Sequence, residues 1–224
     1  MERDRKARLF RVANHDLRGP VANVRSYISL LKSQAKELPP RAQRSAEVIE
    51  RNADRALALL GEFFDFMQAR EGCLELAIEP TEVRPLIEGA VKAASALSAE
   101  AGVCVEADIP ELPPALVEGN ALGHALAVLV ERAIGRCPHG GKVRVAAHRG
   151  EGGLEISVLD SGPAPSEDEI QGLCDPDGWL DREGKLSLGF RVAVAAEEIR
   201  TMGGDLSAQT GTSEVVLRLP LASA

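Results

Sequence analysis

Residues 5–37, RKARLFRVANHDLRGPVANVRSYISLLKSQAKE, decide the architecture of this chain. Leu9, Val12, Asp16, Leu17, Pro20, Val24, Ile28 and Leu31 recur at spacings of one, three or four. That spacing draws a mostly apolar stripe along one face of a helix. The predicted helix runs from about Arg5 to Glu37 and stops at Pro39-Pro40, because proline cannot continue it. A second helical pattern follows from Arg41 to Arg70, with Ile49, Ala53, Ala56, Leu60, Phe63 and Met67 on one face, and Gly72 ends it. At ~1.5 Å per residue each helix is roughly 45 Å long. Two such helices joined by a short turn cannot bury their stripes alone. The expectation is a homodimer in which two hairpins form a four-helix bundle. The other solution is a hairpin packed only on the rest of its own chain.

Beyond Gly72 the pattern changes. Leu74 to Ile78 alternates as a strand does, Pro80 to Val83 leads into a helix over Glu82–Ala101, and Val103 to Ala107 reads as a short strand. Pro110, Pro113 and Pro114 break the chain before a helix from Asn120 to Arg136. Lys142–His148 and Leu154–Leu159 form a predicted hairpin across a Gly-rich turn. A loop rich in Pro, Gly and acids spans Gly162 to Gly184, long enough to be a functional lid. A helix from Gly189 to Met202, Gly203-Gly204 and two final strands close the chain. The fold class is α+β, with a long antiparallel helical hairpin over 1–72 and an α/β sandwich over 73–224.

Composition narrows the function. The 224 residues carry a formal net charge of -8, which excludes a broad basic face for nucleic acid. Aromatics make up 3% of the chain, too few for base-stacking platforms. Apolar runs fall short of the roughly 20 residues that span a bilayer, so no membrane contact is expected of this chain. Cys73, Cys104, Cys137 and Cys174 form no C-x-x-C pair and read as reduced thiols in a cytoplasmic setting.

The chemistry is concentrated in HDLRGP, His15 to Pro20. Pro20 inside a helix should kink it and free a carbonyl one turn upstream. A neutral imidazole on the exposed side of such a helix is a nucleophile at neutral pH. Asp16 is the acid that would orient the ring and take its proton. Adjacent helix positions do not face each other, so Asp16 has to reach around to the nitrogen that does not attack. Taken alone, the pair also reads as a surface histidine followed by a solvated aspartate.

In this order of residues the segment resembles the phospho-acceptor box of two-component sensor histidine kinases. The resemblance covers nearly the whole chain, and it implies that 73–224 is an ATP-binding domain of the GHKL type. It also implies that His15 attacks the γ-phosphate of ATP, with Asp16 assisting, and passes the phosphoryl group to an aspartate of a response-regulator receiver domain. ATP and Mg2+ are then required. Four residues after the histidine the family often carries threonine or asparagine, which helps dephosphorylate the partner; here that residue is Gly19.

The same resemblance assigns the nucleotide site. Asp160-Ser161-Gly162 matches the motif in which the aspartate accepts a hydrogen bond from the adenine amino group and the glycine admits the base. A turn-capping Asp160 is the plain alternative. The family's magnesium-binding asparagine aligns with Arg132 and its lysine with Gly135. A guanidinium cannot ligate a dication but can bind phosphate, so no metal ligand is assigned. Ser187 and Gly189, with Lys185 nearby, stand in a reduced version of the second glycine box, where phosphates meet amides at a helix N-terminus; Ser187 as a helix cap is the alternative. His124, His139 and His148 read as structural or solvated.

Two functions follow from these readings. One is a protein-histidine kinase that autophosphorylates His15 from ATP. The other is a histidine phosphotransferase of a phosphorelay, with a degenerate domain that binds no ATP and needs no cofactor; the altered nucleotide boxes and the short stretch before His15 favour it. A scaffold that binds a receiver without phosphotransfer fits an intact His15-Asp16 pair less well.

Overall fold

The structure, a computed structural model, describes residues 2–33, 39–150, 152–172, 188–208 and 210–222. The chain divides into two compact units, Met1–Leu74 and Glu75–Ala224.

The first unit is a hairpin of α1 (Glu2–Ser33) and α2 (Pro40–Arg70). α1 runs through Pro20 as a continuous helix. Pro20 has no N–H to give the Asp16 carbonyl, so the helix loses one bond there without ending. Ion pairs record the antiparallel register: Lys6 Nζ lies 2.7 Å from Glu71 Oε2, Arg25 Nε lies 2.7 Å from Asp54 Oδ1, and Lys32 pairs with Glu50. Ile28, Ala46, Ala53, Phe64 and Phe66 are buried in the unit. Arg18 lies along α2 where Gly61 has no side chain, its Nη1 3.4 Å from the place a Cβ would take. Gly72, at φ +63°, supplies the left-handed residue that ends the hairpin, and the N–H groups of Cys73 and Leu74 return to the Gln68 carbonyl.

The apolar stripe of α1 is largely uncovered within the single chain. Leu9, Val12, Leu17, Val24, Tyr27 and Leu30 are 48–70% exposed. At ~100° per residue they share one strip of about 140° of arc. Only Ile28 of the stripe faces into the hairpin.

The second unit runs β1 (Glu79–Thr81), α3 (Arg84–Ala93), α4 (Ser95–Ala101), β2 (Cys104–Asp108), β3 (Ala115–Val117), α5 (Gly119–Arg136), β4 (Lys142–Arg149), β5 (Leu154–Asp160), α6 (Glu167–Gly172), α7 (Leu188–Thr201), β6 (Asp205–Ala208) and β7 (Glu214–Leu219). Five strands form one sheet in the order β2-β4-β5-β7-β6, with β2 parallel to β4 and the other pairs antiparallel. Its inner residues alternate, as Val143, Val145 and Ala147 do in β4 and Leu154, Ile156 and Val158 in β5. Helices cover that face. α5 is buried on almost every side, from Ala121 to Ile134, as befits a helix held between the sheet, α3 and α7. The Glu118 carboxylate caps it, accepting from the Ala121 N–H at 2.6 Å.

Three expectations change. Leu74–Ile78 is not a strand; the pairing falls instead on β1, which joins β3 as a separate two-stranded sheet. The helix expected over Glu82–Ala101 is two helices meeting at Ala94, where the N-cap of the second is also the C-cap of the first. The loop after Gly162 holds a short helix, α6, opened by reciprocal bonds between Ser166 and Glu169.

Candidate functional site

His15 and Asp16 stand on the exposed part of α1, their side chains 89% and 70% accessible, with His15 Nδ1 3.2 Å from Asp16 Oδ1. Neighbouring helix positions thus do meet, because the short Asp side chain turns toward the ring edge. The contact favours the tautomer with its proton on Nδ1, donated to the carboxylate. Nε2 then carries the lone pair. Beside it, the Gly19 position is open: a Cβ there would meet nothing within 4 Å.

In the second unit Asp160 ends β5 as the last residue of the inward set Leu154, Ile156, Val158. The alternation that builds the core therefore buries its carboxylate, and the side chain is 1% exposed. Asp160 Oδ1 accepts from the Gly162 N–H at 2.8 Å. A larger residue at 162 would force a neighbour to shift: a Cβ would lie 2.5 Å from the Arg136 carbonyl oxygen and 2.6 Å from Asp160 Oδ1. Ser161 ties the turn to β4, accepting from the Lys142 N–H at 2.8 Å, and Ser213 Oγ donates to the Pro163 carbonyl at 2.8 Å.

Asp160 Oδ2 has a different neighbour. Arg136, in the last turn of α5, places Nε 3.5 Å from it, yet neither buried atom makes a hydrogen bond. The rest of the guanidinium is held elsewhere. Nη2 donates to the Pro163 carbonyl at 2.6 Å, and Nη1 lies 3.8 Å from Glu169 Oε1 of α6. Buried polar atoms left unbonded cost about 1–3 kcal/mol each.

Arg132, one turn before Arg136, is half-buried, and its charge reaches Glu169. The Glu169 carboxyl is held below the usual range by its bonds to Ser166 and then by Arg136 and Arg132. Glu131, the nearest oxygen donor to the aligned metal position, is taken by Arg191 of α7. Among the described residues no three His, Cys, Asp or Glu side chains gather as a metal site. At the aligned position itself, the Arg132 guanidinium cannot ligate Mg2+. Gly189 is the second residue of α7. Ser187, Lys185 and most of the expected lid lie outside the described residues.

Residues 5–72 match the His Kinase A (phospho-acceptor) domain, and residues 118–223 match the histidine kinase-, DNA gyrase B- and HSP90-like ATPase family. The chain belongs to the two-component histidine kinases. This histidine kinase core is 28% identical over 202 residues to the sensor histidine kinase MtrB of Mycobacterium tuberculosis, covering 87% of the chain and 35% of that protein. It is 27% identical over 229 residues to the histidine protein kinase DivJ of Caulobacter vibrioides, covering 96% of the chain and 37% of that protein. The core thus spans little more than a third of these relatives. Among solved structures, full-length ShkA in complex with AMPPNP superposes with a TM-score of 0.82 at 20% identity, over 98% of the chain and 47% of that protein. That likeness shows the fold of a histidine kinase over both units.

Reading the kinase core from sequence missed Arg136, Arg191 and Glu169. Arg136 ends a helix, a position where basic residues are common for the helix dipole alone. Glu131 and Arg191 are 60 residues apart, and only the packing of α5 on α7 joins them.

Proposed function

We propose that this chain is a protein-histidine kinase core that autophosphorylates His15 from ATP and hands the phosphoryl group to an aspartate of a response-regulator receiver domain. The observation that carries this reading is the 3.2 Å contact between His15 Nδ1 and Asp16 Oδ1 on an open helix face. With the proton on Nδ1, the Nε2 lone pair is the attacking group. The Nε2–P bond forms as the bond from γ-phosphorus to the bridging oxygen breaks, and ADP leaves. The cationic imidazolium passes its Nδ1 proton to Asp16. Asp160 Oδ2 is the acceptor for the adenine amino group, and Gly162 gives the base its approach. Arg132 is the residue for phosphate, with Ser187 and Gly189 supplying the reduced glycine box. The Arg132 guanidinium, at the aligned position, offers Mg2+ no ligand, and no step here runs through it.

The uncovered strip of α1 supports a homodimer, since a second hairpin laid on it removes six large apolar side chains from water. A cytoplasmic setting follows from the need for ATP and a receiver domain. A second reading, a phosphotransferase fed by a phosphorylated receiver, is favoured by two particulars: Arg132 at the metal position and the burial of Asp160 Oδ2. Incubation with γ-labelled Mg-ATP, and separately with a phosphorylated receiver, tests the proposal. Label on His15 from ATP supports the kinase; label only from the receiver overturns it for the relay.

A further inference from the structure

The only described buried and unbonded polar atoms around the base-recognition carboxylate face each other: Asp160 Oδ2 and Arg136 Nε, 3.5 Å apart. Resting on the reading of Asp160 as the base acceptor, we infer that Arg136 is the affinity-determining residue of the nucleotide site, an internal cation that must leave Asp160 before a base can be seated.

Three observations carry this. First, Asp160 Oδ2 has no solvent exposure to speak of, so no amino group reaches it while its surroundings stay as they are. Oδ1 already accepts the Gly162 N–H at 2.8 Å. Second, the pair is poorly made. The Pro163 carbonyl holds Nη2 at 2.6 Å and Glu169 attracts Nη1 at 3.8 Å, and in this pose Nε does not achieve hydrogen-bond geometry with Oδ2. A guanidinium that matched the carboxylate with two parallel bonds would be hard to displace. This one holds it by charge alone, so a base N–H aimed along the lone pair recovers a bond the free protein lacks. Third, Arg136 is 20% exposed and so has a way out to solvent, whereas Asp160 does not.

The exchange therefore balances. Asp160 Oδ2 gives up the charge of Arg136 and gains the amino donor of an adenine-type base. Arg136 gives up a mispaired contact and its Nη2 bond to the Pro163 carbonyl, and gains water or phosphate oxygen. The carboxylate is covered in the free protein, and the apparent affinity is reduced in proportion to the fraction of molecules in which it is open.

Calorimetric titration of the whole chain with ADP, without metal, tests this on the wild type, Arg136→Gln, Glu169→Gln and Arg136→Gln/Asp160→Asn. Glu169→Gln keeps the Ser166 capping box, which Gln also serves, and removes the charge that anchors Arg136 and also reaches Arg132. The expected result is an ADP Kd lowered about tenfold in Arg136→Gln. In Glu169→Gln it falls by about two- to threefold. The double variant loses the gain. Should Arg136→Gln melt too low to measure, Glu169→Gln carries the test. A Kd equal to or above that of the wild type in both single variants overturns the inference and leaves the nucleotide site standing. Absence of ADP binding in all four proteins removes the nucleotide site itself, and the inference with it.

Discussion

His15 Nδ1 and Asp16 Oδ1 lie 3.2 Å apart on the open face of α1, so the ring is oriented by its own neighbour in the chain rather than by a residue brought in from elsewhere. The nucleophile and its orienting acid are thus carried on one helical turn.

The pair predicts a graded loss. His15→Gln removes the only nitrogen nucleophile there and abolishes all labelling, whether phosphate arrives from ATP or from a receiver. Asp16→Asn keeps the size but cannot take the Nδ1 proton, and the labelling rate falls roughly 10²- to 10⁴-fold. Single-turnover labelling with acid-urea or phosphate-affinity gels measures both. Labelling that survives in His15→Gln moves the acceptor site elsewhere.

The exposed strip of α1 predicts an oligomeric state. Tyr27 is 70% exposed and Leu30 53%, on the same side as Leu9 and Val12. Tyr27→Glu with Leu30→Glu places charge in the seam of a four-helix bundle while leaving the Ile28 side of α1 untouched. Light scattering after size exclusion is expected to give a dimer for the wild type and a monomer for the double variant. A monomeric wild type at micromolar concentration leaves the strip without its second copy.

How much of this was legible follows from the range over which each feature is encoded. The hairpin is written in a repeat that continues for some thirty residues, and the turn at Gly72 is local, so both can be read directly. Asp160 is reached through the resemblance; the fold adds that it continues the two-residue alternation of Leu154, Ile156 and Val158 onto the inner face. β1 and β3 are three residues each and exist only because they find one another across the chain, so no local pattern announces them. The break at Ala94 has neither Gly nor Pro to mark it. Arg136 is the extreme case, since its meaning lies in Asp160, Pro163 and Glu169 together, which only the folded turn assembles.

The far end of the hairpin predicts a pH response. Glu50 is held below the usual carboxyl range first by its bond from Lys32, then by Ser29, and Lys32 is raised by the same partner. A depressed carboxyl contributes stability that is present above the ordinary glutamate value and is lost as pH falls through the depressed one. A raised lysine contributes stability that is present below the ordinary lysine value and is lost as pH climbs through the raised one. The melting difference between the wild type and Glu50→Gln should therefore be flat across neutral pH and close at both the acid and alkaline ends. Both groups are open to solvent, so the difference should also shrink as salt is added. A gap that persists below the carboxyl range would mean that packing, not the ion pair, holds Glu50.

Gly162 gives the sharpest separation of stability from binding. A methyl group there meets the Arg136 carbonyl at 2.5 Å and Asp160 Oδ1 at 2.6 Å, so one of the two must move. The carbonyl belongs to the last turn of α5, whose core side chains Leu122, Leu126 and Leu129 are all but fully buried, and it has little freedom. The carboxylate is the softer partner and is the one displaced, which breaks its 2.8 Å bond from the residue 162 N–H. Overpacking of this kind costs about 1–3 kcal/mol. By comparison, Leu126→Ala, far from Asp160 in the helix, costs about 2–5 kcal/mol through its cavity. Gly162→Ala is thus expected to be the milder variant in a denaturant melt and the harsher one in nucleotide titration, losing at least tenfold in affinity. Leu126→Ala should show the opposite order. If both variants lose affinity only in proportion to their loss of stability, the Asp160–Gly162 turn is a structural cap and not the seat of the base.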